Sequence, residues 1–382
     1  MSRFTHLHVH SHYSLLDGLT KIDELIKRIK ETGMDSVALT DHGVMYGSLE
    51  FYQKAKKAGV KPILGVEAYV APKSRLDRDA NDEKYYHLIL LAKDLTGWKN
   101  LIKLVSRANL EGYYYKPRMD KEILREHHEG LIALSACLGG EVDQALLAGK
   151  FEEAKRVALE HEEIFGKGNY FIEIQKHPNI DDSEKIEADI LKLSKETGIP
   201  LVAAQDSHYP RKEDAHYHDI LLAIQTGNKL SDDDRLSLKA DDFSLASPEE
   251  MELKFAFAPE AIENTVKIAE MCNVELELGK TLLPNFPKPE GKTANEYLRE
   301  LIEERLPNRY PGDKLTQIVR ERVEYEFGVI EKTGFADYFL IVQDLINWAK
   351  NHGISVGPGR GSAAGSIVSY VLNITDIDPL VY

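Results

Sequence analysis

Short, almost uninterrupted apolar runs alternate with segments of helical period through the first two-thirds of the chain. The runs predict strands at Phe4–Val9, Ser36–Thr40, Pro62–Val70, His87–Ala92, Leu131–Ser135, Tyr170–Ile174 and Leu201–Ala204. Between most of them, apolar residues recur every three or four positions. These predict helices at Lys21–Lys30, Leu49–Lys57, Leu95–Ala108, Phe151–Ile164 and Lys185–Glu196. Thr20 with Asp23 reads as the capping signal of the first helix. Gly33, Gly59 and Gly198 each stand between a helix and a strand, where a glycine C-cap belongs. About seven βα units in a row predict an α/β fold with a parallel sheet. Seven units suit a closed barrel better than an open sheet, although periodicity alone does not choose. Lys73–Lys84 is charged and aperiodic, and predicts a solvated loop between two strands.

From about Ser247 the pattern becomes helical, with Pro248–Lys254 and then Pro259–Met271. Leu283–Gly291 is rich in proline and glycine and reads as a linker region. Helices are expected beyond it at Ala294–Arg305, Asp313–Lys332, Tyr338–His352 and Ile367–Leu372. A glycine-rich turn, Gly357–Ser366, precedes the last of these. The expected division is a first domain at 1–270, a linker at 271–292 and a second domain at 293–382.

The strand ends carry the chemistry-bearing residues. In βα-barrels, active sites gather where the strands end. His8 and His10, at i and i+2, are expected to share a face, with Leu7 and Val9 opposite. Asp17 follows shortly after. Further on come Asp41-His42, Glu67, Cys137 and the pair Asp206 and His208. His87 opens its strand instead of closing it, an exception unless that strand runs antiparallel. Imidazole, carboxylate and thiolate bind zinc, manganese and iron. Taken singly, each has an ordinary reading: a satisfied core histidine, a helix-capping aspartate, an inert thiol. Taken together they exceed the needs of one tetrahedral metal, and point to a two- or three-metal hydrolytic centre. His6, His12 and His177 could line the same cleft. His127, His128, His161, His216, His218 and His352 lie in helical or loop patterns and are read as structural.

Composition narrows the picture. The 382 residues hold 48 basic and 63 acidic side chains, a net charge of −15. Such a chain does not coat nucleic acid or anionic membrane non-specifically. A metal-dependent nucleic-acid enzyme remains open, because bound cations are not counted. No apolar run reaches membrane-span length, and the N-terminus lacks a signal-peptide core. Two cysteines in different contexts make a disulfide framework unexpected, and the reducing cytoplasm is the expected location.

The string His6–Gly18 resembles the first motif of the PHP (polymerase and histidinol phosphatase) family. Leu39–Gly43, Gly65–Glu67, Ser135–Cys137 and Asp206–His208 resemble its later motifs. The resemblance implies a distorted (β/α)7 barrel holding up to three divalent metals, Zn²⁺ and/or Mn²⁺. The implied ligands are His8, His10, Asp17, His42, Glu67, His87, Cys137, Asp206 and His208. Ser14–Gly18, Leu39–Gly47, Tyr86–Lys93, Gly334–Val342 and Gly357–Ser366 resemble more closely the N-terminal region of the bacterial replicative DNA polymerase III alpha subunit family. That resemblance implies a PHP barrel, a mostly helical segment and an incomplete polymerase palm. It implies a 3′–5′ exonuclease role for the metal site, and a nucleotide-phosphate site at Gly359, Arg360, Gly361 and Ser362. The glycines would let backbone N–H groups approach an anion at a helix N-terminus, with Arg360 and Ser362 as added donors. Implied partners are a DNA primer-template and dNTP, a proofreading exonuclease and a sliding clamp, with Mg²⁺ for polymerisation. Asp376 and Asp378 would precede the catalytic aspartates, so none is assigned up to Tyr382 and this stretch alone is not expected to polymerise DNA. Two other readings share the barrel: a stand-alone small-molecule phosphatase of the histidinol-phosphate type, and a non-catalytic platform for a proofreading subunit.

Overall fold

A computed structural model describes residues 4–79, 84–232, 234–280 and 282–382. The chain divides into two compact units between Leu276 and Glu277. In chain order the first holds α1 (Ile22–Glu31), β1 (Ser36–Leu39), α2 (Ser48–Ala58), β2 (Lys61–Val70), β3 (Tyr86–Ala92), α3 (Leu95–Leu110), β4 (Tyr113–Tyr114), β5 (Lys116–Met119), α4 (Lys121–Glu126) and β6 (Leu131–Leu134). It continues with α5 (Glu141–Leu147), α6 (Phe151–Phe165), β7 (Tyr170–Gln175), α7 (Asp181–Thr197), β8 (Leu201–Ala204), α8 (Ala215–Thr226), α9 (Pro248–Lys254) and α10 (Pro259–Met271).

The sheet runs β4-β5-β2-β3-β6-β7-β8, with β1 paired to the first residues of β2, Lys61–Leu64. Four of the seven pairings among the described residues are parallel, but β3 runs antiparallel to both β2 and β6, and β4 runs antiparallel to β5. The expected parallel sheet is thus corrected at two strands. The ring closes through the first segment. Ala38 N donates to His6 O and Thr40 N to Val9 O, while His10 N donates to Ser207 O and Ser207 N to His8 O, at 2.8–3.1 Å. This segment bends at His8 and is bridged rather than regularly laddered, so the expected strand Phe4–Val9 is an extended stave instead. Leu7 joins the interior cluster and Val9 the outer one, so the two do not share a side as expected.

Alternation on the strands builds two layers. Interior positions Ala38, Ile63, Ile89, Leu91, Ile132, Leu134, Phe171 and Val202 pack together, closed off by Ile268, Ala269 and Cys272 around the end of α10. The opposite faces meet the surrounding helices; α1, for example, buries Ile22, Leu25, Ile26 and Ile29, one stripe at helical spacing.

Two local expectations fail. The N-cap of α1 is Lys21 without a side-chain bond, because Thr20 is buried and bridged to Ser11. The Lys73–Lys84 loop, of which 80–83 lie outside the described residues, is not simply solvated. Arg75 is buried against Asp120, 3.0 Å away, and its guanidinium also bonds Glu111 and Glu122 at 2.7 Å. Asp120 in turn caps α4 through Ile123 N. Arg75→Ala is expected to cost about 3 kcal/mol, because it strands a buried carboxylate. Urea unfolding checks this, and a loss below about 1 kcal/mol would show the loop to be dispensable.

The second unit packs α11 (Ala294–Arg309), α12 (Gln317–Thr333), α13 (Ala336–Asn351) and α14 (Ile367–Val371) around Leu298, Ile302, Phe327, Leu340 and Ile367. The helix expected from Asp313 starts at Gln317, where Thr316 caps it. Gly361–Gly365 form a 3₁₀ turn before the five-residue α14. Gly359 and Gly361 have φ of 134° and 54°, and Arg360 and Ser362 are exposed beside them. The N-terminus of α14, expected to favour an anion, already holds the Glu326 carboxylate, 2.8 Å from Ser366 Oγ and 3.2 Å from Val368 N. Asp376 pairs with Lys350 and Arg309, and Asp378 accepts from the Tyr310 hydroxyl.

Candidate metal centre

At one end of the barrel the interior positions turn from apolar to ligand-capable. Along β2, Ile63 lies in the apolar layer and Glu67 tops it, two alternations later. Because β3 is antiparallel, its first residues lie at the end where the parallel strands finish. His87 therefore stands beside Tyr69 in register and reaches the same face as Glu67, which removes the exception seen in the sequence. Gly139 makes room for it: a Cβ there would lie 2.9 Å from His87 Nδ1.

All nine candidate residues meet in one network. Glu67 Oε1 lies 3.3 Å from His8 Nε2, 2.8 Å from His87 Nδ1 and 3.9 Å from Cys137 Sγ. Its Oε2 faces His10 Nε2 at 3.4 Å and contacts His42 Nδ1. Asp206 Oδ1 sits 3.1 Å from His8 Nε2 and 3.3 Å from His10 Nε2. Asp17 Oδ2 bonds His42 Nε2 at 2.7 Å and faces His208 Nε2 at 3.7 Å. Three overlapping groups have ligand atoms close enough to share an ion: His8-His10-Asp206, His10-His42-His208 and His42-Glu67-His87.

The decisive feature is what these atoms lack. His8 Nε2, His10 Nε2, His42 Nδ1, Glu67 Oε2 and Asp206 Oδ1 are buried without a properly formed hydrogen bond, and all five converge. Leaving one such group unsatisfied costs roughly 1–3 kcal/mol, so five in one place need a common partner. The donor set of imidazoles, carboxylates and a thiol fits a divalent cation.

The electrostatics agree. Burial alone would raise the Glu67 carboxyl, but His87, His42 and His8 outweigh it and hold it well below the ordinary range. Asp206 and Asp17 are depressed in the same way, against burial, by the histidines around them. Burial and neighbouring histidines push His10 down to about 3, which keeps a free lone pair for a ligand. Burial, with Asp206 and Glu67 added, pushes the Cys137 thiol well up, so a thiolate there needs a cation beside it.

Supporting side chains fix the imidazoles from behind. Glu173 holds His8 Nδ1 at 2.9 Å, and Ser14 Oγ holds His10 Nδ1 at 3.0 Å. Ser14 donates in turn to Asp41, 2.7 Å away, which is therefore a support and not part of the cluster. Glu173 was missed in the sequence; a lone carboxylate inside the buried run Tyr-Phe-Ile-Glu-Ile was the available signal. Such outer partners set the tautomer and basicity of a ligand. Glu173→Gln is expected to weaken metal binding by roughly 10–100-fold, read by competition with a fluorescent chelator. Unchanged affinity would show that His8 does not need the carboxylate.

Backbone strain collects at the same end. Among the described residues, five non-glycine positions have positive φ: Leu16, Tyr115, Ala136, Asp206 and Asn373. Leu16 adjoins Asp17, Ala136 adjoins Cys137, and Asp206 is itself in the cluster. Such conformations persist where the surroundings over-determine them, often at functional sites.

The remaining histidines separate cleanly. His6 bonds Ala246 O at 2.9 Å and is pushed down to about 4 by burial, outside the cluster. His12 leans on the Tyr13 ring, and His177 is buried against Phe243 with Asp241 3.6 Å away. His218, read as structural from sequence, borders the site: its Nε2 lies 2.7 Å from Asp17 O and its ring 5.5 Å from that of His208.

Comparison with known proteins completes the description. A profile of the PHP domain matches residues 6–177, and one of the bacterial DNA polymerase III alpha NTPase domain matches 296–382. The DNA polymerase III subunit alpha of Borreliella burgdorferi is 48% identical over 385 residues, covering 100% of this chain and 33% of the relative. That of Thermus aquaticus is 45% identical, covering 99% and 36%, and that of Treponema pallidum 47%, covering 99% and 32%. The chain thus spans about a third of the length of these curated relatives. The cluster residues from His8 to Cys137 fall inside the PHP match, and Asp206 and His208 lie beyond it.

Proposed function

Since this chain belongs to the bacterial DNA polymerase III alpha subunit family, of which it is an N-terminal part, we propose that its barrel is a metal-dependent phosphodiesterase acting on the 3′ end of a DNA strand. The observation that carries this reading is the convergence of five buried candidate ligand atoms, none with a properly formed hydrogen bond, at one end of the barrel. His8, His10, Asp17, His42, Glu67, His87, Cys137, Asp206 and His208 would hold up to three ions, zinc or manganese by their donor chemistry. Ions held there would supply Lewis-acid charge to the phosphodiester. Glu67 and Asp206 each face several imidazoles and fix their spacing. Glu173 and the Asp41–Ser14 pair orient the rings, and the buried Tyr69 ring packs against His42 and His87.

The second unit would contribute to the polymerase palm of the longer protein. Gly359, Arg360, Gly361 and Ser362 would meet the nucleotide phosphates there, through exposed backbone and side-chain donors rather than through the α14 terminus that Glu326 occupies. Primer-template DNA, dNTP with Mg²⁺, a sliding clamp and a proofreading subunit would be partners of that whole protein in the cytoplasm. No helix among the described residues is long and apolar enough to cross a membrane.

The test is hydrolysis of a 5′-labelled oligonucleotide with Mn²⁺ or Zn²⁺. A ladder shortening from the 3′ end is expected. Bound metal with no cleavage would instead favour a structural platform.

A further inference from the structure

Two cavities meet at the candidate centre. Asp17, His42 and His87 line a cleft of about 620 Å³. His87 also lines a second chamber of about 650 Å³, on the side of α5 and α6. Tyr85 lines both as well, its ring stacked on that of His87 with centroids 5.9 Å apart and planes 5° apart. The stacked pair is therefore a wall common to the two. Both volumes lie in the range of ligand sites.

The second chamber has a chemistry of its own. The exposed Lys84 and Lys150 are matched by Glu141 and Glu153, so its lining carries no net charge. Ala145 and Ala148, at the end of α5, leave that wall without bulk. Tyr86, His87 and Glu141 lead on into a recess of about 10 Å³, room for about one oxygen or nitrogen atom. Tyr170 lines the recess, is fully buried, and has a hydroxyl without a hydrogen-bond partner. Such a hydroxyl costs roughly 1–3 kcal/mol, which phenylalanine would avoid in the same space. It implies a polar atom that arrives from the chamber.

We propose that the second chamber receives the terminal nucleotide of a DNA strand, base and sugar inward, and retains it as a nucleoside 5′-monophosphate after cleavage. This rests on the reading of the cluster as a phosphodiesterase. Hydrolysis of a diester needs room on both sides of phosphorus. Water adds its oxygen to phosphorus, the bond from phosphorus to the 3′ oxygen of the preceding nucleotide breaks, and that oxygen takes a proton of the water. The shortened strand then lies in the first cleft and the freed nucleotide in the second chamber. A lining without net charge suits base and sugar, and leaves the phosphate to the end at His87. The Tyr170 hydroxyl donates or accepts, so it meets a carbonyl or N–H edge of a base. The strand is thus shortened one nucleotide at a time.

The test is isothermal titration calorimetry of the Mn²⁺-loaded chain with thymidine 5′-monophosphate and, separately, with inorganic phosphate. Thymidylate should bind at least about tenfold more tightly than phosphate, the excess coming from the chamber. Ala148→Trp fills the chamber from an exposed position, and should remove that excess while phosphate affinity and metal content stay as in the parent. Tyr170→Phe should weaken thymidylate binding by roughly three- to tenfold, the effect of one neutral hydrogen bond, and melt no lower than the parent. Gln225→Trp, in the first cleft, should bind thymidylate as the parent does. Equal affinity for thymidylate and phosphate would overturn the proposal. So would loss of the excess in Gln225→Trp but not in Ala148→Trp, or full thymidylate affinity in both Ala148→Trp and Tyr170→Phe. Hydrolysis of bis(p-nitrophenyl) phosphate by the parent reports separately on the cluster. Thymidylate held in the chamber without that activity upholds the nucleotide site and refutes the phosphodiesterase; activity without a preference for thymidylate refutes the chamber alone.

Discussion

Glu67→Gln is expected to cut phosphodiester hydrolysis by at least about a thousandfold, ~4 kcal/mol of barrier. The two Glu67 oxygens face His8, His87 and Cys137 on one side and His10 and His42 on the other. Glutamine keeps the volume but loses the charge, and its amide nitrogen points a donor where ligand atoms need an acceptor or a cation. Bound metal should fall from more than one ion per chain to below one. Metal analysis beside the rate separates causes: full occupancy with a lost rate would make Glu67 a reacting group, and full occupancy with a full rate would remove it from the centre.

Stripping the ions with a chelator is expected to lower the melting temperature of the barrel by roughly 10 °C. A site loaded to a thousand times its dissociation constant contributes ~4 kcal/mol, and about 2–4 °C accompanies each kcal/mol in a domain of this size. The loss should depend on pH. In the ion-free cluster, burial alone would lower His42, but Glu67 and Asp17 overrule it and raise it to about 10. A raised group stabilises fully below its unfolded pKa, near 6.5, and this contribution fades as pH rises toward 10. Glu67, Asp17 and Asp206 are depressed, so they stabilise above their ordinary carboxylate range and lose that effect only in acid. Raising pH from 6 to 8 therefore removes part of what protonated His42 contributes to the ion-free cluster. It also makes the protons held on His42 and His8 easier for a metal ion to displace. The gap between loaded and stripped melting temperatures should widen over that range in scanning fluorimetry. A constant or narrowing gap would mean that metal does not compete with these protons.

The candidate ligands were legible because residue type and strand position speak locally. His8-Val9-His10, Glu67 in a buried run and Asp206-Ser207-His208 announce themselves wherever the strands end. The direction of β3 was not legible, since it depends on pairing with β2 and β6 rather than on its own residues. The bend at His8 and the ring closure through Ser207 are long-range hydrogen bonds that leave no periodic trace. Supporting groups were hidden for the same reason: Glu173 is 165 residues from the histidine it orients, and Arg75 lies 45 residues from Asp120. In the second unit, the glycine-rich turn was visible but the carboxylate of Glu326 on the following helix was not.

The central claim is that these nine side chains hold divalent ions, and anomalous X-ray diffraction at the zinc and manganese edges tests it most directly. The expected result is two or three anomalous peaks, roughly 2.0–2.3 Å from imidazole nitrogens and carboxylate oxygens of the cluster, one of them beside Glu67. Crystals grown with both metals that show no anomalous density within the cluster would contradict the account.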